Sequence, residues 1–555
     1  MRTALAWIGS IVVSLAAPAL AENASKPGAV TPELPTLQCL GVRWLIAGDD
    51  NRNARVEVRY RKTGSADWRK ALDLFRVDPK GMREAVRPPD GQFLFAGSVF
   101  GLEENTEYDL LLSLKDPDGG DAEQLHQVTT WATPKLPEGG KRIEVGPDEF
   151  EATFPWVKPG DILVLKKGVY KGTFRPPSGE PGMPVALVGE EGAVFDGDGK
   201  GNCIGAPGSH DIMLVGLAFR NAKWALNFNL GARISVIRCT ITDCTYGFVA
   251  QADGHRQQRI YIADCTMKGP ATWPRTQGIE NARGIQVSGQ GHVVCYNRIS
   301  GYGDAIDTFS TYPCSAIDFY GNEISECTDD GIEMDYSEHN TRCFDNRLTN
   351  VFQGISTQPV WGGPVYIFRN ALYNVGMETF KMHNNPSGAL FFHNTSVKQG
   401  MPLVLYTGEP VTNFVTRNNL FIGTAANYGY ENTARMRDCD FDYDGFGGDW
   451  KVFMKWNAVR YATLEEALEK APVEHHAARV DPATLFASGL QPPADLKTQF
   501  DPKANDLRLK EGTKAIDAGV VLPNINDGFA GKAPDLGAYE LGAPLPHYGP
   551  RPLKK

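Results

Sequence analysis

Between Cys239 and Asn419 the chain repeats one pattern, in which an apolar stretch leads to a small polar residue and then to a second apolar pair. The residues at the small polar position are Cys239, Cys265, Asn297, Asn322, Asn346, Asn370, Asn394 and Asn419. From Asn322 onward these residues are 24 or 25 positions apart. A repeat of this length predicts a solenoid, in which each repeat forms one turn, or rung, of a coil.

The apolar residues within a repeat alternate with polar ones, which is the period of a β-strand and not of a helix. Five segments align on this period: 304–309, 330–335, 353–358, 378–383 and 402–407. The alternation predicts that one set of side chains faces the core and that the residues between them point outward. The predicted core positions are Ile306, Ile332, Ile355, Phe380 and Val404, each followed two residues later by Thr308, Met334, Thr357, Met382 and Tyr406.

A buried asparagine is costly unless its amide is hydrogen-bonded. Asparagines that stack at the same turn of successive rungs can bond to one another along the coil. The pattern therefore predicts an all-β protein whose main part, residues 142–423, is a right-handed parallel β-helix. Residues 424–555 are expected to form irregular terminal rungs and a C-terminal cap.

The first 21 residues contain one basic residue, an apolar run from Ala4 to Leu20 and the sequence Ala-Leu-Ala. This pattern is typical of a cleaved signal peptide, so we expect a secreted or periplasmic protein. No other run reaches the roughly 18 apolar residues that a membrane span needs. Membrane insertion is therefore not expected.

Residues 28–135 do not follow the repeat pattern and are predicted to form a small β-sandwich ahead of the coil. Tyr108, which follows Asn-Thr-Glu, resembles the tyrosine corner of a fibronectin type III module. The resemblance implies that the Tyr108 hydroxyl bonds to nearby backbone. Such a module predicts a spacing, orienting or shielding role, with sugar binding as the alternative.

The stretch from Trp156 to Gly172, with its Pro-Gly-Asp turn, resembles the opening of the chondroitinase B and alginate lyase group of β-helix proteins. This resemblance indicates architecture more than chemistry. The segments 515–519 and 534–540 resemble the closing segment of many secreted β-helix proteins. They are expected to cover the open end of the coil, because an uncovered last rung exposes a sheet edge.

The net charge of -10 disfavours nucleic acid and anionic membranes as partners. A polysaccharide is the expected partner, and a monomer the expected state. Cys239, Cys265, Cys295 and Cys343 lie at rung positions where a small buried side chain suffices, so we expect packing in preference to disulfides.

A cluster of outward-facing polar residues on successive rungs is the candidate site, since neighbouring strands lie about 4.8 Å apart. The candidate catalytic residues are Asp307, Asp330, Glu333, Asp335, Lys381 and His383. The candidate substrate-binding residues are Arg283, Asp304, Phe309, Gln358 and Trp361. Crowded carboxylates require raised pKa values, a bound cation or the neighbouring bases to offset their repulsion. The alternative is an acidic surface that only keeps the coil soluble.

Two reactions fit this cluster. In a glycoside hydrolase, a protonated carboxyl donates to the leaving oxygen while a second carboxylate activates water. Glu333 with Asp335, or Asp307 with Asp335, have a suitable predicted spacing. The arrangement resembles the clustered aspartates of polygalacturonase-type β-helix hydrolases, although the order of motifs differs. This leading hypothesis needs no metal or other cofactor.

In a polysaccharide lyase, a cation such as Ca²⁺ neutralises a uronate carboxylate and a base removes a proton. Glu333 and Asp335 are the candidate ligands, with Lys381 or His383 as the base. The lyase group named above has a lysine a few residues after its paired acids, whereas this chain has Glu338-His339-Asn340. Lys381 or His339 would have to substitute. A third hypothesis is a non-catalytic glycan-binding or surface protein.

The segment from Asp438 to Gly445 has acidic residues at alternate positions, like the start of a calcium-binding loop. Counted from Asp440, which puts Gly445 at the sixth position, the twelfth position of such a loop would be Lys451, which is not a ligand. The pattern favours a strand with Cys439, Phe441 and Tyr443 facing inward.

Overall fold

The computed structural model describes residues 22–252, 257–275, 280–308 and 314–553. The predicted signal peptide and the candidate substrate-binding residue Phe309 lie outside the described residues. The described chain is nearly all β-structure, with a small antiparallel region followed by a long parallel solenoid. The predicted fold class is therefore confirmed.

The N-terminal unit consists of two four-stranded antiparallel sheets. One sheet contains the strands Lys26–Pro32, Leu40–Ala47, Gln92–Val99 and Phe75–Val77. The other contains Arg69–Lys70, Arg55–Lys62, Glu107–Lys115 and Ala122–Thr129. The buried Tyr108 hydroxyl accepts a hydrogen bond of 2.9 Å from the Glu103 amide, as a tyrosine corner implies. The relationship to fibronectin type III modules stays a prediction.

The solenoid has two long parallel sheets in its walls. The first sheet contains Arg142–Val145, Ile162–Leu165, Val185–Gly189, His210–Val215, Ala232–Ile237, Tyr261–Ala263, Val293–Cys295, Asp318–Tyr320, Thr341–Phe344, Trp361–Phe368, Ser387–Phe392, Val411–Arg417, Met436–Arg437 and Asp440–Asp442. A third, short sheet contains Gly289–Gln290, Cys314–Ser315 and Ser337–His339.

The second sheet carries the candidate site. Its strands are Gly168–Lys171, Ala193–Asp196, Asn202–Gly205, Ala218–Asn227, Thr240–Ala250, Thr266–Lys268, Arg283–Val287, Arg298–Ser300, Asp304–Asp307, Glu323–Glu333, Arg347–Ser356, Ala371–Val375, Phe380–Lys381, Thr395–Val397, Leu403–Leu405, Leu420–Asn432, Gly445–Trp456, Val459–Tyr461 and Ala478–Arg479. The parallel pairing continues beyond residue 423, because Leu420–Asn432 pairs with Gly445–Trp456.

The predicted register is correct on four of the five aligned rungs. Ile306, Ile332, Ile355 and Phe380 are buried in the main core. On the rung at 402–407 the prediction is wrong by one residue, since Leu403 and Leu405 enter the core and Tyr406 is exposed. Leu403, Val404 and Leu405 are all apolar, so alternation could not distinguish the two faces of this strand.

The predicted asparagine ladder is present from Asn297 to Asn419. In each step the side-chain Nδ2 of one asparagine donates to the Oδ1 of the asparagine on the next rung. The five Nδ2 to Oδ1 distances lie between 2.9 and 3.1 Å. Below the ladder, Cys265 occupies the equivalent position, and its amide donates to Asn297 Oδ1. Cys239, Cys265, Cys295 and Cys343 are buried and form no disulfide.

The ladder ends on a carboxylate that the sequence analysis missed. Asn419 Nδ2 donates to Asp444 Oδ1 at 2.9 Å, while Tyr443, predicted to face inward, turns away and stacks on His476. A positive φ of 60° at Tyr443 permits this turn. Asp444 lies beside Glu474, and both are fully buried. Burial, followed by repulsion from Asp444, raises the pKa of Glu474 well above its usual value.

We expect the Glu474→Gln variant to lose less stability at high pH than the wild type. Burial raises the pKa of Asp444 to about 6 and raises the pKa of Glu474 well above its usual value. Groups with raised folded-state pKa values contribute stability that is complete below pH ~4 and is lost as the pH rises through the folded-state values. Replacing Glu474 removes the second charge, so the loss should shrink by about 1–3 kcal/mol. Urea unfolding of both proteins from pH 4 to 9 measures the difference, and parallel curves would contradict it.

The open end of the coil is covered by a helix, and the C-terminal tail lies elsewhere. Helix Leu464–Lys470, capped by Thr463, inserts Leu464 and Ala467 into the main core beside the last rungs. The tail instead runs back along the side of the coil, where Leu536 and Tyr539 pack on outward apolar residues of the second sheet. The expectation that the tail is the cap is therefore wrong. Those outward apolar residues are Ala371, Tyr373, Val397, Leu420 and Ile422.

The remaining helical segments are short. They are α-helix Pro482–Leu485 and the 3-10 turns Pro79–Gly81, Glu84–Val86, Glu151–Trp156 and Pro502–Ala504. None of the helices in the described ranges combines the length and the apolar character that a membrane crossing requires.

Candidate active site

A column of small residues shapes the second sheet at the site. Gly331 and Gly354 face inward, because a Cβ on Gly331 would lie 2.5 Å from Leu348 Cδ2 and one on Gly354 would lie 2.3 Å from the Thr379 carbonyl oxygen. Ala305 occupies the same column and belongs to the core. Since each small residue is followed by an inward isoleucine or phenylalanine, the residues on both sides of this pair point outward. The outward pairs are Asp304 with Asp307, Asp330 with Glu333, Gln353 with Ser356, and Glu378 with Lys381.

The strand register then stacks these side chains in columns. Asp307 lies opposite Glu333, Glu333 opposite Ser356, and Ser356 opposite Lys381. Below Asp307 the same column contains Gln286, whose Nε2 donates to Asp307 Oδ2 at 3.2 Å. The predicted cluster of carboxylates on neighbouring rungs is thus brought together on one outer face.

Two cations bridge the carboxylates. Lys381 Nζ lies 2.6 Å from Asp330 Oδ2 and 3.9 Å from Glu333 Oε1. On the other side, Arg283 contacts Asp304, and its Nε lies 3.3 Å from Asp307 Oδ2. These contacts offset part of the repulsion that the sequence analysis anticipated.

The outward carboxylates are buried, although we expected them to be exposed. Only 6% of Glu333 and 4% of Asp335 is accessible to solvent. The reason is that the outward side chains pack against their neighbours: Asp335 Oδ1 accepts hydrogen bonds from Ser356 Oγ at 2.7 Å and from the Gln358 amide at 2.6 Å. The inward or outward direction of these side chains was predicted correctly. Their burial under side chains from other rungs was not predicted.

Glu333 and Asp335 differ in their hydrogen bonding. Glu333 Oε2 has no hydrogen-bond partner among the described residues. Burial, with repulsion from Asp335 and Asp307, raises the pKa of Glu333 to about 8. Burial also raises the pKa of Asp335 to about 7, against the opposing charge of Lys381. The carboxyl without hydrogen-bond donors is therefore the one that keeps its proton more firmly at neutral pH.

Lys381 is held in its charged form. Burial would lower its pKa, but Asp330, Asp335 and Glu333 raise it above the usual value of a lysine. Burial raises the pKa of Asp330 well above its usual range, and Glu333 adds to that shift. A lysine in this setting is a poor candidate for an unprotonated base.

His383 lies at the upper edge of the cluster. Its Nε2 is 3.1 Å from Glu378 Oε2, and Glu378 Oε1 accepts a hydrogen bond from the Tyr406 amide. The contact with Glu378 raises the pKa of His383. His383 is therefore paired with Glu378 and is favoured in its protonated form.

Gln358 and Trp361 follow the carboxylate strands in the next turn. Gln358 donates its backbone amide to Asp335, and its side-chain Oε1 has no partner in the described part of the chain. The half-buried Trp361 packs at 5.2 Å, between ring centroids, against Tyr336. Burial raises the pKa of Tyr336, and Asp335 and Glu333 raise it further, so Tyr336 lies near the carboxylates. Sequence reasoning missed Tyr336, although it directly follows Asp335 in the chain.

The segment that replaces the lysine of the lyase group is engaged elsewhere. Glu338 binds Arg83 at 2.6 Å, His339 Nδ1 lies 2.8 Å from Glu33, and Asn340 Oδ1 accepts a hydrogen bond from Ser98. All three partners belong to the N-terminal unit. His339 thus contacts the N-terminal unit through Nδ1, and its role as the base of a lyase stays a prediction.

One set of carboxylates could hold a metal ion. Asp304, Asp330 and Glu333 each offer one oxygen, and these oxygens lie within 4.8 Å of one another. Oxygen ligands of this kind suit Ca²⁺. The set differs from the predicted ligands Glu333 and Asp335. Lys381 already contacts two of its members, so an ion would compete with an ammonium group for the same charges.

No protein-family model matches this chain, and no curated protein sequence matches it. Among solved structures it is similar to the catalytic unit of a thermostable GH87 alpha-1,3-glucanase from Streptomyces thermodiastaticus strain HF3-3, with a TM-score of 0.43 and 11% identity over 78% of this chain and 92% of that chain. It is similar to the PL6 family alginate lyase AlyGC, with a TM-score of 0.43 and 11% identity over 73% of this chain and 59% of that chain.

A third similar structure is a polygalacturonase from Erwinia carotovora ssp. carotovora, with a TM-score of 0.28 and 13% identity over 56% of this chain and 95% of that chain. Similarities at 11% to 13% identity do not assign a function to this chain.

Proposed function

We propose that this protein is a polysaccharide-degrading enzyme that hydrolyses glycosidic bonds on the outer face of its β-helix. The observation that carries the proposal is the buried Glu333 carboxyl, with a pKa raised to about 8 and one oxygen without a partner in the described residues. A carboxyl that keeps its proton at neutral pH is what a general acid requires. The solenoid wall around it supplies an extended surface suited to a polymer.

In this mechanism Glu333 protonates the leaving glycosidic oxygen as the bond between that oxygen and the anomeric carbon breaks. Asp335 takes a proton from the attacking water. Asp335 lies two residues beyond Glu333, in the turn that follows strand Glu323–Glu333. Its charge raises the pKa of Glu333, so the two carboxyls lie close enough to act on one glycosidic bond. The hydrogen bonds from Ser356 and Gln358 orient the Asp335 carboxylate.

The charged neighbours would stabilise the ionised states formed during the reaction. Lys381, held protonated beside Asp330 and Glu333, offsets the negative charge that Glu333 acquires on giving up its proton. Trp361 and Tyr336 supply aromatic surface next to the carboxylates, against which the apolar face of a sugar ring packs. Substrate recognition would therefore combine aromatic contact with polar contacts from Arg283 and Gln358.

The test is incubation of the purified protein with a panel of neutral and uronate-containing polysaccharides. Release of new reducing ends without an unsaturated product supports hydrolysis. The control is the Glu431→Gln variant, which changes an outward glutamate paired with a lysine on a distant rung. Absence of cleavage across a panel that includes both polymer classes would contradict the proposal.

A cation-assisted lyase is the second candidate, and the oxygens of Asp304, Asp330 and Glu333 within 4.8 Å of one another favour it. A Ca²⁺ ion there would neutralise a uronate carboxylate of the substrate. The lyase also requires a neutral base, and the raised pKa values of Lys381 and His383 oppose that role. This opposition is why hydrolysis is the leading proposal.

We expect the Lys381→Arg variant to retain substantial turnover, within about tenfold of the wild type. Arginine keeps the positive charge beside Asp330 and Glu333 but cannot readily give up a proton. A hydrolase needs only the charge, whereas a lyase that uses Lys381 as its base loses nearly all turnover. Reducing-end release measures the first outcome, and ultraviolet absorbance of unsaturated uronate measures the second.

Chelation provides the matching control. A hydrolase of the proposed kind keeps its activity in excess chelator, because none of its steps requires a metal ion. Unsaturated product that disappears on chelation and returns with Ca²⁺ would overturn hydrolysis in favour of the lyase.

A further inference from the structure

A loop of the N-terminal unit, residues 78–87, packs against the β-helix beside the candidate site. The contact is close: a Cβ on Gly81 would lie 2.3 Å from Ser387 Cβ, and one on Gly362 would lie 2.8 Å from Met82 Cγ. Gly362 directly follows Trp361, the predicted sugar-stacking residue. The loop therefore reaches the turn that carries Trp361.

Arg83 in this loop makes two contacts across the interface. Its Nε and Nη2 lie 2.8 and 2.6 Å from Glu338 Oε1. Its guanidinium carbon lies 5.1 Å from the centroid of the Trp361 ring, within the range of a cation–π contact. The two contacts together fix the guanidinium between a buried carboxylate and one side of the indole.

Trp361 in turn packs on Tyr336 at 5.2 Å between ring centroids. Tyr336 directly follows Asp335, and its φ of 60° marks the turn at the end of the carboxylate strand. A continuous set of contacts thus leads from Arg83 through Trp361 and Tyr336 to the carboxylates.

The rest of the interface does not depend on Arg83. Arg342, which is fully buried, binds Asp318 at 2.5 Å, and Asp318 accepts a hydrogen bond from Thr36 of the N-terminal unit. Phe100 packs edge-on against Tyr366 at 5.0 Å between ring centroids. Since these buried contacts hold the two units together, the partly exposed Arg83 is not required for docking.

We propose that Arg83 is a positioning residue that orients Trp361, so that the N-terminal unit forms one wall of the substrate groove. The proposal rests on the proposed function for its effect on catalysis, and on geometry alone for its effect on Trp361. It assigns the N-terminal unit a part in substrate binding, whereas the sequence predicted a spacing, orienting or shielding role with sugar binding as the alternative.

The first test measures the position of Trp361 without substrate. The protein is labelled with 5-fluorotryptophan, and the Trp361 ¹⁹F resonance is assigned from the Trp361→Phe variant. We expect the Arg83→Ala variant to shift or broaden this resonance and the Arg83→Lys variant to change it less. The matched control is Arg43→Ala, which removes an ion pair of 3.0 Å with Glu33 at the same interface without touching Trp361.

The second test uses kinetics with the full chain on a cleaved polysaccharide. We expect Arg83→Ala to raise KM about 3- to 10-fold, as the loss of a cation–π contact would, while kcat changes less than about twofold. In a Trp361→Ala background the same change should leave KM unaltered, because the two residues act as one unit.

An unshifted Trp361 resonance in Arg83→Ala, or the same shift in Arg43→Ala, would overturn the proposal. An equal rise in KM with and without Trp361 would do so as well. Failure of the proposed function is distinguishable: if Glu333→Gln keeps full activity, the hydrolase proposal is lost, while the resonance still decides whether Arg83 positions Trp361.

Discussion

The Glu333→Gln variant should lose about 10²- to 10⁴-fold in kcat, because the amide cannot donate the proton that the leaving oxygen needs. Its fold should be unharmed. Glu333 has a pKa of about 8 in the folded protein, so glutamine resembles its protonated form at neutral pH. Initial rates and thermal unfolding at pH 7 measure both effects.

The pH dependence of stability provides an independent check. Because the folded-state pKa of Glu333 is raised, its contribution to stability is complete below pH ~4 and is lost as the pH rises through about 8. The Glu333→Gln variant lacks this titration, so it should exceed the wild type in stability above pH 8. Wild-type kcat in Glu333→Gln, with Glu431→Gln as the matched control, would remove Glu333 from the site.

The Asn370→Asp variant should lose about 2–4 kcal/mol of unfolding free energy at neutral pH. Asn370 Nδ2 donates to the Cys343 carbonyl at 3.0 Å and to Asn394 Oδ1 at 3.0 Å. An aspartate carries no side-chain donor, so two acceptors would face its buried charge without a proton between them. The loss should shrink at low pH, where the new carboxyl is protonated.

Urea unfolding measures this loss, and Asn385→Asp is the control because Asn385 is exposed on the same part of the coil. The control should change stability by less than about 0.5 kcal/mol. Equal effects in the two variants would mean that the ladder hydrogen bonds do not stabilise the fold.

The sequence predicts most of the solenoid because its two signals are local. Alternation places Ile332 and Met334 inward, and the recurrent asparagines mark the same turn on successive rungs. The signal fails at Val404, where three apolar residues follow one another. It also fails at Asp444, which continues the ladder with a carboxylate at a position where the repeat has an amide.

The sequence predicts which way the side chains of the site point, but it does not predict what surrounds them. The register brings Asp307, Glu333 and Lys381 into one column, as the alternation implies. Burial of Glu333 and the raised pKa values depend on cross-rung packing that no single strand encodes. The contact between Arg83 and Glu338 joins residues 255 positions apart, so spacing along the chain gives no sign of it.

The asparagine ladder also has an electrical direction. Every side-chain amide from Asn297 to Asn419 donates one Nδ2 hydrogen bond toward the C-terminal end of the coil, and each Oδ1 accepts from the preceding rung, so the amide dipoles align as the peptide dipoles of a helix do. The positive end of this row meets the Asp444 carboxylate, to which Asn419 donates from both its backbone and its side chain. The row thereby adds to the hydrogen bond from Thr416 Oγ1 in favouring the charged form of Asp444.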